Sequence, residues 1–264
     1  MIMKNLENKK YIKLIVVLSL ILVGLGVFLS LSIWLFTADQ WKILAQSTWE
    51  TLLQTIISTV LAYLAGIPVG VLLNITAKNG LKPNKIINFI LGLVVNILRS
   101  IPCLILVVVC MPWTRAWFLR GTGEWYTILI PLFVTAFGFA ARMVEQSLAE
   151  VPVGEIEAFK SLGASNWQII TNVLLSESRS SLVSGVAVTG VTLLGYTSFA
   201  YNIAAGGLIS TIYTYYSRNT GNFMSSWYFW ALIIVVVVIV QLLQELGLYI
   251  SKRIDKRRIL KWKD

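Results

Sequence analysis

The chain has 264 residues, of which 57% are hydrophobic and only 13% charged, and its mean hydropathy is +0.76. Soluble globular chains carry about 25% charge, so this composition excludes an ordinary soluble domain and points to a membrane. The net charge is +10 and His is absent, which removes His-based catalysis and His-ligated metals; the cations sit at chain ends and in short gaps, which argues against nucleic acid.

Six segments can span a bilayer, each offering about 20 largely apolar residues. The first, 14–36, follows Lys4, Lys9, Lys10 and Lys13. A cleaved leader is the competing reading, but the apolar run is longer than a signal core of about 7–15 residues and no A-x-A-like site follows it. A retained helix is expected. The second segment is 51–76. The third is 86–111, interrupted by Arg99 and Pro102. It holds both cysteines, Cys103 and Cys110, about 10 Å apart along one helix. That is too far for a disulfide with each other, so they read as small buried residues. The fourth is 126–148, the fifth 182–205 and the sixth 227–250. Gly, Ala, Ser and Thr enrich the second, fourth and fifth, as in helices packed on helices. The Val235–Val238 run makes the sixth greasier.

With the N-terminus cytoplasmic, seventeen Lys and Arg fall inside and four outside, a strong positive-inside signal. Both termini are then cytoplasmic and the chain is a multi-pass protein of the cell membrane. Eight tryptophans fall at or near the proposed outer ends as interface anchors. The outer loops are too short to fold as a receptor.

The longest inner loop, 150–178 and a few residues beyond, is not linker in composition. Pro152 precedes a helix-prone stretch with Glu155 and Glu157 at its start and Lys160 in its last turn, as the helix dipole prefers. Gly163 is a ready C-cap. Ser165 opens a second helix with Gln168 as its capping-box partner. Ile169, Ile170, Val173 and Leu174 give it an apolar face. Two short helices joined by a tight turn are expected. Such a knob could seat in a soluble partner and carry motion to the spans, or lie on the lipid surface. The loop's acidic residues favour the protein partner over an anionic membrane.

At this loop the sequence resembles a known family. Glu157-Ala158-Phe159, three residues, Gly163, nine residues, then Val173-x-Leu175 resembles the EAA motif of type I ABC importer permeases (Glu-Ala-Ala, Gly, Ile-x-Leu-Pro). Phe159 stands where the second Ala is usual and Ser176 where Pro is usual. Ser176 removes a helix-start lock, so a looser exit from the second helix is expected. Further segments resemble the methionine-importer branch: Thr48 to Leu52, Gly66 to Leu73, Arg99-Ser-Ile-Pro-Cys103, Ala141 to Leu148, Pro152 to Gly154 and Ala204-Ala-Gly-Gly-Leu208.

The resemblance implies an all-α fold: a polytopic membrane protein of six transmembrane helices with a cytoplasmic coupling-helix hairpin. Residues 1–40 would be an N-tail and an added first span, and 41–264 the permease domain. Two copies would form the pathway, two ATPase subunits would dock below, and a binding protein above would deliver a small amino acid, methionine foremost. Glu155, Glu157, Ala158, Gly163, Ala164, Val173 and Leu175 would form the ATPase-coupling element. The chain has no phosphate-binding G-x-x-x-x-G-K-[ST] loop, so ATP hydrolysis would belong to a separate subunit; no enzyme activity, cofactor or metal is expected of it. The alternatives are another solute in the same family or an ion-driven secondary transporter, which would need intramembrane acids or inverted repeats.

Single residues carry paired readings. Arg99 with Pro102 marks a position near the pathway or a broken helix whose Arg reaches water or carbonyls. Arg142 and Glu145 form a structural i, i+3 pair. Glu157 either meets a basic groove on the ATPase or simply serves the helix dipole. Gly185, Gly190 and Gly195, with Ser184, Thr189 and Thr192, make the fifth helix a lining of the pathway or an ordinary packing surface.

Overall fold

The computed structural model describes residues 34–255, with Gly26, Ser30 and Ser32 before them. Most of the first predicted span, 14–36, and the basic residues 256–264 lie outside the described residues. Within them all regular structure is helical.

Helix α1, Ala38–Thr76, is 39 residues long and so about 58 Å, well beyond the ~30 Å apolar core of a bilayer. Its start lies thirteen residues before the predicted one because Thr37 and Gln40 close a capping box on polar sequence. Its inward face is small and polar: Ser47, Thr51, Gln54, Thr55, Ser58, Thr59, Ala62, Gly66 and Gly70 are all buried.

The third predicted span is not one helix. It folds as α2, Lys85–Ser100, and α3, Cys103–Phe118, bent by 106°. Pro102 supplies the break: it lacks an N–H, and it holds Ile101 extended at φ −79°, ψ 122°. Both cysteines are free and buried on α3, and Thr135 Oγ1 donates to Cys103 Sγ over 3.5 Å.

A 3₁₀ turn, Trp125–Ile128, leads into α4, Leu129–Ala149. The inner loop holds α5, Val153–Ser161, and α6, Asn166–Ile169, which runs through a π-helical turn, Ile170–Leu174, into α7, Leu175–Glu177. Helix α8, Arg179–Tyr196, continues as a 3₁₀ segment to Ile203. Helix α9, Leu208–Arg218, was not foreseen in the sequence; α10, Trp227–Ile254, closes the bundle.

Direction follows from contacts. A Cβ on Gly66 would lie 2.8 Å from that of Ala140, and one on Gly70 2.6 Å from the Ala141 carbonyl and from Val144 Cβ. Helices α1 and α4 are thus parallel and nearly touch backbone to backbone. The seam uses a small-xxx-small pair, Gly66 and Gly70. Helix α8 runs the other way: Tyr63 on α1 meets Thr189, while Ser180 and Ser251 exchange hydrogen bonds between α8 and α10. One end of the bundle therefore gathers 77–84, 150–178 and the end of α10, the loops predicted to share a face. The other gathers 119–128 and 197–226. The main core joins α1, α3, α4, the π turn and α8; a smaller one at the far end joins Leu44, Leu194, Leu208, Tyr228 and Leu232.

Candidate functional site

The inner loop builds as its sequence dictates. Pro152 caps α5, and Glu155 lies in the first turn and Lys160 in the last. Glu157 falls one turn further in than expected, so the dipole reading of that residue weakens. At Gly163 (φ +80°) the chain turns through a left-handed cap. The Ala164 N–H donates to the Phe159 carbonyl and the Gly163 N–H to that of Lys160, the paired bonds of a Schellman cap. A Cβ on Gly163 would meet nothing within 4 Å, so the glycine is needed here for its conformation. Ser165 and Gln168 form the predicted capping box, with bonds of 3.3 and 2.8 Å.

The motif divides its residues between two tasks. Val173 is buried, and Ala164 and Leu175 pack on the main core, beside Ile169, Ile170 and Leu174. Residues 169, 170, 173 and 174 all point inward across the π turn. The irregularity thus lies upstream of Ser176, and the chain stays helical through that residue. Helix α5 has no fully buried residue, and of its apolar side chains only Ile156 packs on the main core. Glu157, Ala158 and Gly163 are exposed. So are Val153, Phe159, Leu162 (82%) and Trp167 (72%). Among the described residues no ion pair engages Glu155 or Glu157. A short rigid hairpin with an apolar crest and free carboxylates stands out from the polar end of the bundle.

Residues predicted near a pathway separate onto two flanks of α4. On one, Arg99 lies over the Phe139 ring at 5.4 Å, with Gly138 against its Cγ. Arg142 pairs with Glu145 at 2.5 Å and donates to Asn96 Oδ1 at 2.8 Å. On the other flank, Thr189 is buried and bonded to Tyr63 and to the Gly185 carbonyl (2.9 Å); Thr192 bonds the Val188 carbonyl. Thr189 is thus tied to α1 within the chain, while Thr192 bonds only its own helix and stays partly exposed. Ser184 lines a crevice of about 330 Å³ with Ser147, Glu150 and Glu177. The structure joins Arg99 with Pro102 at the helix break, and does not bring either to Ser184, Thr189 or Thr192.

One polar site escaped the sequence reading. At the far end of α1, Glu50 accepts from the Gly207 N–H and Thr51 Oγ1 from the Leu208 N–H, both at 2.8 Å. Gln54 Nε2 donates to the Ala205 and Trp125 carbonyls at 2.8 and 3.0 Å. The segments 48–52 and 204–208 thus meet, and Gly206 and Gly207 (φ +67° and +88°) allow the turn. An isolated acid beside an apolar run was the available signal.

Residues 66–256 match the family described as binding-protein-dependent transport system inner membrane component. Over 218 residues the chain is 37% identical to the probable D-methionine transport system permease protein MetI of Pasteurella multocida, spanning 82% of this chain and 98% of that protein. The counterpart in Haemophilus influenzae is 38% identical over 82% and 100%. Among solved structures, a chain of the MetNI methionine ABC transporter in inward-facing conformations superposes with a TM-score of 0.77 at 34% identity, over 83% of this chain and 99% of that one. An amino acid ABC transporter with histidines shares the fold at 13% identity, with a TM-score of 0.63 over 87% and 98%.

Proposed function

The chain belongs to the family of binding-protein-dependent transport system inner membrane components, and from that premise we propose that it is the permease subunit of an ATP-driven importer of methionine. One observation carries the cargo: the relatives matched along nearly their whole length are named D-methionine permeases. On this reading two copies form the path. ATPase subunits dock on the α5–α7 hairpin and an extracytoplasmic binding protein delivers methionine at the opposite end. Residues 41–264 form the permease domain, with 1–40 added before it.

The hairpin end is cytoplasmic. Its exposed Phe159, Leu162 and Trp167 seat in the ATPase, and the Glu155 and Glu157 carboxylates meet basic groups there. Ala164, Val173 and Leu175 tie the hairpin to the core, so a displacement of α5 reaches α4 and α8 as a rigid-body movement. Closure of the ATPase dimer on ATP drives the path outward-open, and hydrolysis resets it. Methionine passes without chemical change.

The test is ATP hydrolysis by the complex purified with its native ATPase and binding protein, measured with each enantiomer of methionine and a panel of other amino acids. Stimulation by methionine, abolished by Gly163→Trp and weakened by Glu157→Ala, is expected. If no ATPase co-purifies, the importer reading is wrong. If another solute stimulates and methionine does not, the cargo is wrong and the mechanism stands.

A further inference from the structure

Helix α2 exposes two kinds of residue. Ile86, Phe89, Ile90, Leu93, Val94 and Ile97 form an exposed apolar face suited to lipid. Gly92 and Arg99, spaced i and i+7, mark a flank beside it, and Asn96 lies between that flank and Phe89. Asn96 and Arg99 are exposed, as is Ser100. Arg99 packs against Gly138, near the middle of the span Trp125–Ala149, so its charge sits deep in the membrane.

Two physical constraints keep this flank away from lipid. A guanidinium at membrane depth is too costly to leave against acyl chains. Chain that leaves helical geometry at that depth is tolerated only inside protein or beside water, and the break at Ser100–Pro102 is exposed at the same place. Nearby, Arg142 is neutralised by Glu145. Arg99 has no ion pair or hydrogen bond among the described residues, only the ring face of Phe139. Its charge is therefore available. A broken span at mid-depth is also where transported solutes are held in other membrane carriers.

We infer that Arg99 faces the solute path and binds the carboxylate of the amino-acid cargo, with Phe139 holding the guanidinium plane. This rests on the reading of the chain as an amino-acid importer. A guanidinium presents a two-pronged donor to a carboxylate, so the site selects free amino acids over their esters and amides.

The test uses the complete reconstituted complex in a Cys103→Ser, Cys110→Ala background. Ser100→Cys places a thiol beside Arg99, to be labelled with a charged, membrane-impermeant methanethiosulfonate. Labelling is expected, slowed by methionine and not by methionine methyl ester, and adding Arg99→Gln removes the protection. In uptake, Arg99→Gln should raise KM for methionine about tenfold or more with a smaller change in Vmax, and Arg99→Lys should recover part of it. A thiol that does not label places the flank in lipid or against the second copy and overturns the inference, as does equal protection by acid and ester, or a Vmax loss with KM unchanged. Methionine-stimulated ATPase of the unmutated complex is the separate control: its absence sinks the importer reading, whereas its presence with an unprotected thiol sinks the Arg99 assignment alone.

Discussion

The α1–α4 seam and the α5–α7 hairpin both depend on glycine and both carry apolar side chains, to opposite effect. In the seam, Gly66 and Gly70 remove side chains so that two backbones touch, and the neighbouring residues vanish from the surface. In the hairpin, Gly163 removes a side chain so that the backbone can turn, while Phe159, Leu162 and Trp167 stay outside. The seam satisfies itself. The hairpin leaves exposed apolar surface that its own chain does not cover, as the docking proposed above requires.

That contrast can be broken first at the seam. Gly70→Leu drives a side chain into the Ala141 carbonyl and Val144, and should destabilise the protein by about 3 kcal/mol or more, read as loss of folded material in detergent. Next, Glu50→Ala leaves the Gly207 N–H without its acceptor. A loss of about 1–3 kcal/mol is expected, visible as a lowered thermal transition. Tyr63→Phe removes only the hydroxyl facing Thr189, bonded at 3.3 Å, and should cost about 1 kcal/mol by the same measurement.

The smallest effect on stability sharpens the comparison most. Leu162→Ala with Trp167→Ala should move the transition by about 0.5 kcal/mol or less, since both side chains are exposed. The same variant should lose most of its co-purifying ATPase. If instead it unfolds the protein while retaining the ATPase, the hairpin is a structural element and the contrast collapses.

Much of this architecture is legible in the residues because it is local. The Ser165–Gln168 box, the Gly163 cap and the apolar set 169, 170, 173 and 174 depend on neighbours a few positions apart, and each formed as read. Lysines and arginines placed the loops at a common end for the same reason: each loop reports its own charge. Pro102 announced an interruption, since no neighbour can restore its missing N–H.

What the tertiary structure alone decided is where separate segments meet. Nothing near Pro102 sets a bend of 106°; that angle comes from α2 packing on α1 and α4 while α3 crosses α4 further along. The small residues of the second segment signalled a packed helix, but only the tertiary structure shows that Gly66 and Gly70 meet Ala140, Ala141 and Val144. Glu50 finds Gly207 across 157 positions, and Arg99 and Arg142 differ only in that Glu145 and Asn96 reach one and not the other. The composition determined that this chain lives in a membrane and bends back through it, because every apolar residue carries that message by itself. The fate of each polar group was left to the packing, because in a bilayer a charge or an open carbonyl is defined by the partner that faces it.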